Sequence, residues 1–472
     1  MSIQSSPHTP LAPLDLSTPR RLHVIGVAGP GMSAIAIALA QMGHHVSGVD
    51  LRERQVLDRL RAVGITVHIG HKRSHVIGCD AVTASTAIPK DLNELDEARK
   101  LGIATLRRAG MLASICAQAK SLAVAGTHGK TTTSSMLMLI LAEAGLRPSF
   151  VIGGDVNDIG TGAQWTGNEW FVVEADESDG THLELPLYGT ILTNIDLDHL
   201  DHYGSIEEIE RSFDQYLAQI PGPKVVCADN ERSAAVAARH DSVTYGMSET
   251  AHVRAVDVTP DNGSYRFAVE RGGQRLAEVH LPLRGEHNVV NATGAVAMAI
   301  ELGIDPLVAA SALAKFGGVA RRFDIRGFDR GATFVDDYAH LPPEIDAVLR
   351  AARGSGDGWR RVVAVFQPNR YNRIAEMWQE YADAFTSADL VVLTDIYASG
   401  TKPIPGVTGK LLVNAVLDAH PRTRVVWLPK REDLIGFLAG EVGDGDVCVS
   451  MGCGDIASLP DEVLAVRRKV AV

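Results

Sequence analysis

The stretch Gly126-Thr127-His128-Gly129-Lys130-Thr131-Thr132 combines two glycines, a lysine and paired threonines, right after the apolar run Leu122–Ala125 and before the helix-like run Ser134–Glu143. A strand–loop–helix of that composition can cradle a nucleoside triphosphate. Glycines let backbone N–H groups approach phosphate oxygens, and the helix start presents the positive end of its dipole. Lys130 would reach the β- and γ-phosphates, and Thr131 would ligate Mg2+. The usual pattern has another glycine where this chain has Val124, so the glycine spacing is short.

A second chemical group follows. Phe171-Val172-Val173-Glu174-Ala175-Asp176-Glu177-Ser178-Asp179 reads as a buried strand that ends in carboxylates. Mg2+ is a hard cation that takes oxygen ligands, and Glu174 or Asp176 at a strand's carboxyl end beside a phosphate loop is suited to supply one. The bland alternative is a solvated acidic loop. Thr193-Asn194-Ile195-Asp196-Leu197-Asp198-His199-Leu200-Asp201-His202 also follows a strand, and His199 could bind a second cation or orient phosphate. A single histidine is more often structural; the crowd of His and Asp here argues for a site.

Near the N-terminus, Gly29-Pro30-Gly31-Met32-Ser33-Ala34 fits GxGxxA, and Asp50 closes the next strand. Read alone this is a dinucleotide fingerprint with Asp50 on a ribose. The loop physics serves any diphosphate, including that of UDP. The alternative is a tight strand–helix turn that holds nothing. Thr83-Ala84-Ser85-Thr86-Ala87-Ile88-Pro89 offers hydroxyls to phosphate or uracil, or is simply a polar loop. Further along, His287-Asn288 stands at a helix start, where it could read a purine or cap the helix. Arg321-Arg322-Phe323-Asp324, Asp336-Asp337-Tyr338-Ala339-His340 and Phe366-Gln367-Pro368-Asn369-Arg370-Tyr371 place polar groups at a domain start and past strand ends. Such positions line the cleft of doubly wound folds.

These groups need strands and helices to carry them. Leu22–Val27, a run ending at Val49-Asp50, and Val76–Thr83 read as strands of a Rossmann-like unit, with a helix near Met32–Met42. The pattern restarts near residue 120, with strands at Trp170–Val173, Gly189–Thr193 and Lys224–Cys227. Residues 251–283 alternate about the turn pairs Asn262-Gly263 and Gly272-Gly273, which predicts β-hairpins before an alanine-rich helix that carries Asn288 and Asn291. Strands recur at Thr333–Val335, Arg361–Phe366, Leu390–Thr394, Arg424–Leu428 and Asp446–Ser450. The expectation is three α/β units, 21–118, 119–317 and 318–472, behind a disordered lead-in at 1–20.

Bulk properties agree with that plan. The chain of 472 residues is 46% hydrophobic and only 5% aromatic, which suits parallel sheets covered by helices. Its net charge of −12 argues against general binding to nucleic acid or acidic membranes, so an anionic substrate needs locally concentrated positive charge. Five scattered cysteines form no CxxC pair and read as reduced thiols of a cytosolic protein. No run is long and apolar enough for a transmembrane helix.

In order and number, these motifs resemble the Mur ligase family of peptidoglycan synthesis from about Arg21 to the C-terminus. They are Gly-Val-Ala-Gly-Pro-Gly-Met at 26–32, the phosphate loop at 126–132, Glu-Ala-Asp-Glu-Ser-Asp at 174–179, Thr-Asn-Ile-Asp-Leu-Asp-His at 193–199, His-Asn-Val-Val-Asn-Ala at 287–292, Arg-Arg-Phe-Asp at 321–324 and Asp-Asp-Tyr-Ala-His at 336–340. The shortened loop is also the family's. The resemblance implies three domains: a Rossmann-like domain for a UDP-sugar, a central ATPase-type domain with a small β-hairpin addition, and a Rossmann-like C-terminal domain. It implies a cytoplasmic bacterial enzyme, monomer or homodimer, that uses ATP with Mg2+ or Mn2+ to join L-alanine to the lactyl carboxylate of UDP-N-acetylmuramate through an acyl phosphate. By the same resemblance, Gly126, Thr127, His128, Gly129, Lys130, Thr131, Thr132, His287, Asn288, Asn291 and Arg322 meet ATP. Thr131, Glu174 and His199 hold metal. Lys130, His199, Asp337, Tyr338, His340 and Arg370 face the reacting groups, and Gly29, Gly31, Asp50, His71, Ser85 and Arg108 surround the UDP-sugar.

Leu341 and Asn369 stand where the family commonly carries histidine, and the first loop has Ala28 and Pro30 where more glycines are usual. The competing readings are a sibling ligase acting on a later residue or a tripeptide, a nicotinamide oxidoreductase resting on GxGxxA, and a non-catalytic UDP-sugar sensor.

Overall fold

The computed structural model describes residues 13–85, 87–198, 203–354 and 356–469. It is an α/β protein with three sheets. The first is fully parallel, with β1 (Arg21–Ile25), β2 (His45–Asp50), β3 (Thr66–Ile69), β4 (Ala81–Ala84) and β5 (Ala104–Arg107) in the order β3-β2-β1-β4-β5. The helix Pro30–Gln41 begins after the glycine turn that follows β1, and the helix Arg108–Cys116 follows β5 directly. The strand order reverses direction between β1 and β4, which is where an open α/β sheet leaves a crevice.

The second sheet holds β6 (Lys120–Ala125), β7 (Ser149–Val156), β8 (Thr161–Gln164), β9 (Trp170–Ala175), β10 (Gly189–Leu192), β11 (Lys224–Cys227), β12 (Val243–Gly246), β13 (Val253–Asp261), β14 (Ser264–Arg271) and β15 (Gln274–Leu281). Their order is β15-β14-β13-β12-β11-β10-β6-β9-β7-β8. From Ser121 to Ala125 every residue of β6 is buried, as expected for a central strand covered on both faces. The turn pairs behave as the sequence predicts. Asn262 and Gly263, then Gly272 and Gly273, all have positive φ, the conformation a two-residue hairpin turn demands.

The third sheet holds β16 (Asp324–Asp329), β17 (Ala332–Asp337), β18 (Arg361–Phe366), β19 (Leu390–Leu393), β20 (Val425–Trp427) and β21 (Asp446–Met451), in the order β16-β17-β21-β18-β19-β20. Only β16 runs antiparallel to its neighbour. The chain folds into two compact units: one carries the first two sheets, and the other carries the third together with parts of the hairpin strands.

Two expectations are corrected. The strand predicted over Val76–Thr83 starts only at Ala81; Arg73–Val76 is a 3-10 turn, Gly78 adopts positive φ, and the Asp80 carboxylate accepts the Arg21 N–H. The lead-in is not disordered over its described part. Leu16 is buried in the first core, Leu14 packs against it, and the Leu14 N–H donates to Ser114 Oγ at 2.8 Å. Residues 1–12 lie outside the described residues. All five cysteines are free thiols; Cys116, Cys227 and Cys448 are buried, and Cys79 and Cys453 half-buried.

Candidate active site

The parallel register collects the chemistry at the carboxyl edges of the strands. In the second sheet Ala125, the last residue of β6, pairs with Leu192 of β10 on one side and Ala175 of β9 on the other. The phosphate loop, the Thr193–Asp198 segment and the acidic run from Asp176 therefore emerge side by side. Gly126 and Gly129 both have positive φ, and Gly129 is the N-cap of the helix Lys130–Glu143, where it offers no capping side chain. A Cβ on Gly126 would overlap Thr193 Oγ1 and sit 2.8 Å from the Asn194 carbonyl oxygen; one on Gly129 would sit 2.7 Å from Asn291 Oδ1. Only glycine fits this cradle. Thr193 Oγ1 and Asn194 Nδ2 both donate to the His128 carbonyl, at 2.6 and 3.1 Å, and Asn194 Oδ1 accepts the His128 N–H at 2.8 Å. The Asp196 N–H donates to Thr127 Oγ1 at 2.9 Å, and the His128 ring beside Asp196 holds its carboxyl below the usual range.

Lys130 is folded back over its own loop. Its Nζ donates to the Gly126 and Thr127 carbonyls and, at 2.8 Å, to Glu177 Oε2. Glu177 was not singled out in the sequence. Burial pushes its carboxyl up to about 7 against the pull of Lys130. Burial also works against the Asp176 charge, but Lys130 and Arg108, with the Ser178 hydroxyl, hold that carboxyl well below the ordinary range. Thr131 and Thr132 are buried in the first helical turn. Glu174 reaches from β9 to the neighbouring β7, where its Oε1 accepts the Gly153 N–H at 2.6 Å. Hydroxyl and carboxylate oxygens are the donors a hard divalent cation takes, so Thr131 and Glu174 fit the metal expected there. His199 lies outside the described residues.

The first sheet gathers a second set of loops at its carboxyl edge. Ile25 of β1 pairs with Val49 and Ala84, Asp50 with Ile69, and Ala84 with Arg107, so Asp50 closes its strand and the glycine turn, His71, Ser85 and Arg108 follow theirs. Asp50 Oδ2 accepts the Ala28 N–H at 3.1 Å, and a Cβ on Gly26 would lie 3.3 Å from Ser85 Cβ. Gly29 is the N-cap of the next helix and supplies no side chain there, while Gly31 faces the Arg108 guanidinium. Arg108 also does something the sequence did not disclose. Its Nη2 donates to Asp176 Oδ2 and Asp179 Oδ2, both at 3.1 Å, which ties the first sheet's edge to the acidic run of the second. His71 Nδ1 lies 2.6 Å from buried Glu94 Oε2.

In the other unit, Asp337 of β17 pairs with Met451, and Met451 with Phe366, so the 336–340 and 366–371 segments share one edge. Asp337 is buried; it accepts the Phe323 and Ala339 N–H groups, each at 2.7 Å, and burial raises its pKa despite Arg322. The Arg321 and Arg322 guanidinium carbons stand 4.9 and 5.0 Å from the Tyr338 ring centre. His340 meets Glu344, whose Oε2 accepts both the His340 and Leu341 N–H groups and so caps the next helix. Leu341 is buried in the core and Asn369 accepts from Arg373, so neither departure from the histidine pattern leaves a hole. Arg370 holds φ 60 at a helix N-cap, a costly conformation for a side-chain-bearing residue. His287 and Asn288 open the helix Glu286–Glu301, and Asn288 Nδ2 donates to the Arg284 carbonyl at 2.8 Å. That helix also carries Asn291.

A glycine loop at a helix start, set beside strand-end carboxylates in a parallel sheet, is the arrangement of a nucleotide-dependent α/β enzyme. Three family models match the chain: "Mur ligase family, catalytic domain" over residues 21–120, "Mur ligase middle domain" over 124–299 and "Mur ligase, glutamate ligase domain" over 321–454. The chain belongs to the Mur ligase family and is an ATP-dependent ligase. It is 42% identical to the UDP-N-acetylmuramate–L-alanine ligase of Pelobacter propionicus over 96% of this chain and 99% of that one. It is 43% identical to the enzyme of the same name from Rubrobacter xylanophilus over 94% and 99%. Among solved structures it resembles the UDP-N-acetylmuramate-alanine ligase of Thermotoga maritima, with TM-score 0.82 at 27% identity, covering 96% of this chain and 100% of that one.

Proposed function

We propose that this protein joins L-alanine to the lactyl carboxylate of UDP-N-acetylmuramate in peptidoglycan synthesis, converting ATP to ADP and phosphate. The observation that carries this reading is the pair of phosphate cradles in one compact unit, with Lys130 and the Glu174–Asp179 acids at one and Asp50, Ser85 and Arg108 at the other. The similarity to ligases named for this reaction supports the choice of substrates. A carboxylate is a poor electrophile. Transfer of the γ-phosphoryl group to its oxygen breaks the bond to the β-phosphate bridge and gives an acyl phosphate; the alanine amine then attacks the carbonyl carbon, phosphate leaves with the C–O electrons, and the ammonium proton goes to base or water.

In this reading Lys130 leaves Glu177 and neutralises the β- and γ-phosphates, and the N–H groups of Gly129–Thr132 take phosphate oxygens. Thr131 and Glu174, with His199, would hold Mg2+ or Mn2+, which would supply charge neutralisation for the phosphates. His287, Asn288, Asn291 and Arg322 serve the nucleotide. Asp337, Tyr338, His340 and Arg370 serve the amino acid and the transferring group. Gly29, Gly31, Asp50, His71, Ser85 and Arg108 serve the UDP-sugar. Domain limits near residues 118 and 318, a cytoplasmic location where ATP and UDP-sugars are at hand, and a monomer or homodimer complete the proposal. Among the described residues no helix is long and apolar enough to cross a membrane.

The test is phosphate release from ATP with UDP-N-acetylmuramate against a panel of amino acids and a murein tripeptide. Release that depends on L-alanine supports the reading. Release only with the tripeptide, or none with L-alanine, overturns it.

A further inference from the structure

Among the described residues, one set of His, Cys, Asp or Glu ligand atoms converges as a metal site would: His23, His75 and Glu94, with ligand atoms within 4.8 Å of one another. His23 is inside β1, His75 is in the Arg73–Val76 turn, and Glu94 is in the first turn of the helix Asn93–Lys100. Glu94 is fully buried, yet imidazoles rather than guanidinium or ammonium groups surround it. His75 Nδ1 is 2.6 Å from Oε1, His23 Nε2 is 3.9 Å from Oε1, and His71 Nδ1 is 2.6 Å from Oε2. The His68 ring stacks on His75 with centres 4.1 Å apart, and the Lys72 N–H donates to Oε1.

A second observation points the same way. His23 is fully buried; its Nδ1 is 2.8 Å from Ser47 Oγ, but its Nε2, which faces Glu94, has no hydrogen-bond partner. A buried polar atom left so costs about 1–3 kcal/mol. Two imidazoles and a carboxylate are the donor set of a zinc-class ion, and an outer partner on the far side of each ligand fixes its orientation. Ser47 plays that part for His23, and His71 for Glu94.

We infer that His23 Nε2, His75 Nδ1 and Glu94 Oε1 bind one divalent transition-metal ion of the zinc class, with a fourth position open to water. Bonds of about 2.0–2.2 Å in a tetrahedron set ligand atoms roughly 3.4 Å apart. The His75–Glu94 pair therefore opens by less than an ångström, and the His23–Glu94 pair closes by about half of one. The proton that His75 Nδ1 shares with Glu94 must leave that nitrogen, for the ring's Nε2 or for solvent, before Nδ1 can bind the ion. This site belongs to the first sheet, is distinct from the phosphate loop of the second, and stands whether or not the proposed substrates are right.

The probe is Co2+, followed by Zn2+, added to chelator-stripped full-length protein without nucleotide. The expected result is one equivalent of Co2+ with intense tetrahedral visible bands, displaced by Zn2+, and a rise in thermal midpoint. Glu94→Gln and His23→Asn should each weaken Co2+ binding at least about tenfold and remove the thermal response, whereas Glu169→Gln, an exposed partner of Lys120 at the opposite end of β6 from the phosphate loop, should change neither. His23→Asn removes only the partnerless ring nitrogen from the cluster, so it decides the matter if Glu94→Gln fails to fold. Absence of stoichiometric Co2+ binding, or binding that His23→Asn leaves intact, overturns the inference and leaves a hydrogen-bonded core network.

Discussion

Replacing Lys130 with alanine removes a cation from among buried acids, so its structural cost must depend on pH as well as its catalytic cost on ATP. Lys130 Nζ stands 2.8 Å from Glu177 Oε2, and the Glu177 side chain is 3% exposed. Breaking such a pair from one side costs about 3–5 kcal/mol when the remaining charge stays buried. Protonation offers an escape. Glu177 already titrates at about 7 rather than 4.5, because burial outweighs Lys130; without Lys130 it must titrate higher still. A carboxyl whose folded pKa is raised lends stability fully below its unfolded value and loses it as pH rises through the folded one. In the parent protein that loss is complete somewhat above pH 7. In Lys130→Ala it continues at about 1.4 kcal/mol per pH unit. From about pH 7 to about pH 8.5, the stability gap between the two should widen by about 2 kcal/mol. Denaturant unfolding on either side of neutrality measures it. Lys130→Ala/Glu177→Gln should recover most of the stability and flatten the gap while ATP turnover stays lost, which separates the structural role of Lys130 from its phosphate role. A gap that does not change with pH, or a double variant as unstable as the single one, would refute this account of the pair.

Other outcomes follow from the same contacts. Gly126→Ala forces a Cβ onto Thr193 Oγ1 and the Asn194 backbone at φ 121, so it should abolish ATP binding in calorimetry; Thr193→Ala added to it removes one clash and restores little. Arg108→Ala strips a guanidinium from Asp176 and Asp179 and should lower stability by about 2–3 kcal/mol while raising the KM for UDP-sugar, with Arg108→Lys intermediate in both measurements. Leu341→His places an imidazole in a site 2% exposed and should lower the urea midpoint by an amount worth about 2–4 kcal/mol; an unchanged midpoint would mean the core has room for a histidine there.

What the sequence disclosed and what it hid divide along one physical line. Strand ends were legible because a glycine or a burst of polar residues interrupts an apolar run, as at Gly126, Asp176 and Asp337. The hairpins were legible because Asn-Gly and Gly-Gly pairs can adopt positive φ in succession. Contacts between distant segments left no local trace. Arg108 and Asp176 are 68 positions apart, Lys130 and Glu177 are 47, and Glu94 lies 19 from His75, with nothing in periodicity to join them. The false strand start at Val76 fails for a related reason. Val76-Ile77 is apolar enough for a strand, but the 3-10 turn before it delivers His75 to Glu94, and the chain needs Gly78 to turn before pairing can begin at Ala81.

The short glycine spacing of the phosphate loop has a structural reason. Val124, where a longer loop would place a glycine, is still strand: it pairs with Ile191 of β10 and Glu174 of β9 and is fully buried. The turn begins only at Gly126, which leaves few residues to hold a phosphate-shaped backbone and few loop hydrogen bonds of its own to fix it. Thr193 and Asn194 supply what is missing by binding both backbone groups of His128 from the neighbouring strand end, and Thr127 Oγ1 is held by the Asp196 N–H. The cradle is thus ordered before nucleotide arrives, which lowers the entropy cost of binding. The same bonds make the loop's shape depend on the segment that follows β10, while Glu174, at the end of β9 on the other side of β6, is held by the Gly153 N–H of β7. Loop and acids form one preorganised unit because their three strands are hydrogen-bonded neighbours, so a defect in the Thr193–Asp196 segment should weaken phosphate binding although none of its side chains need touch phosphate.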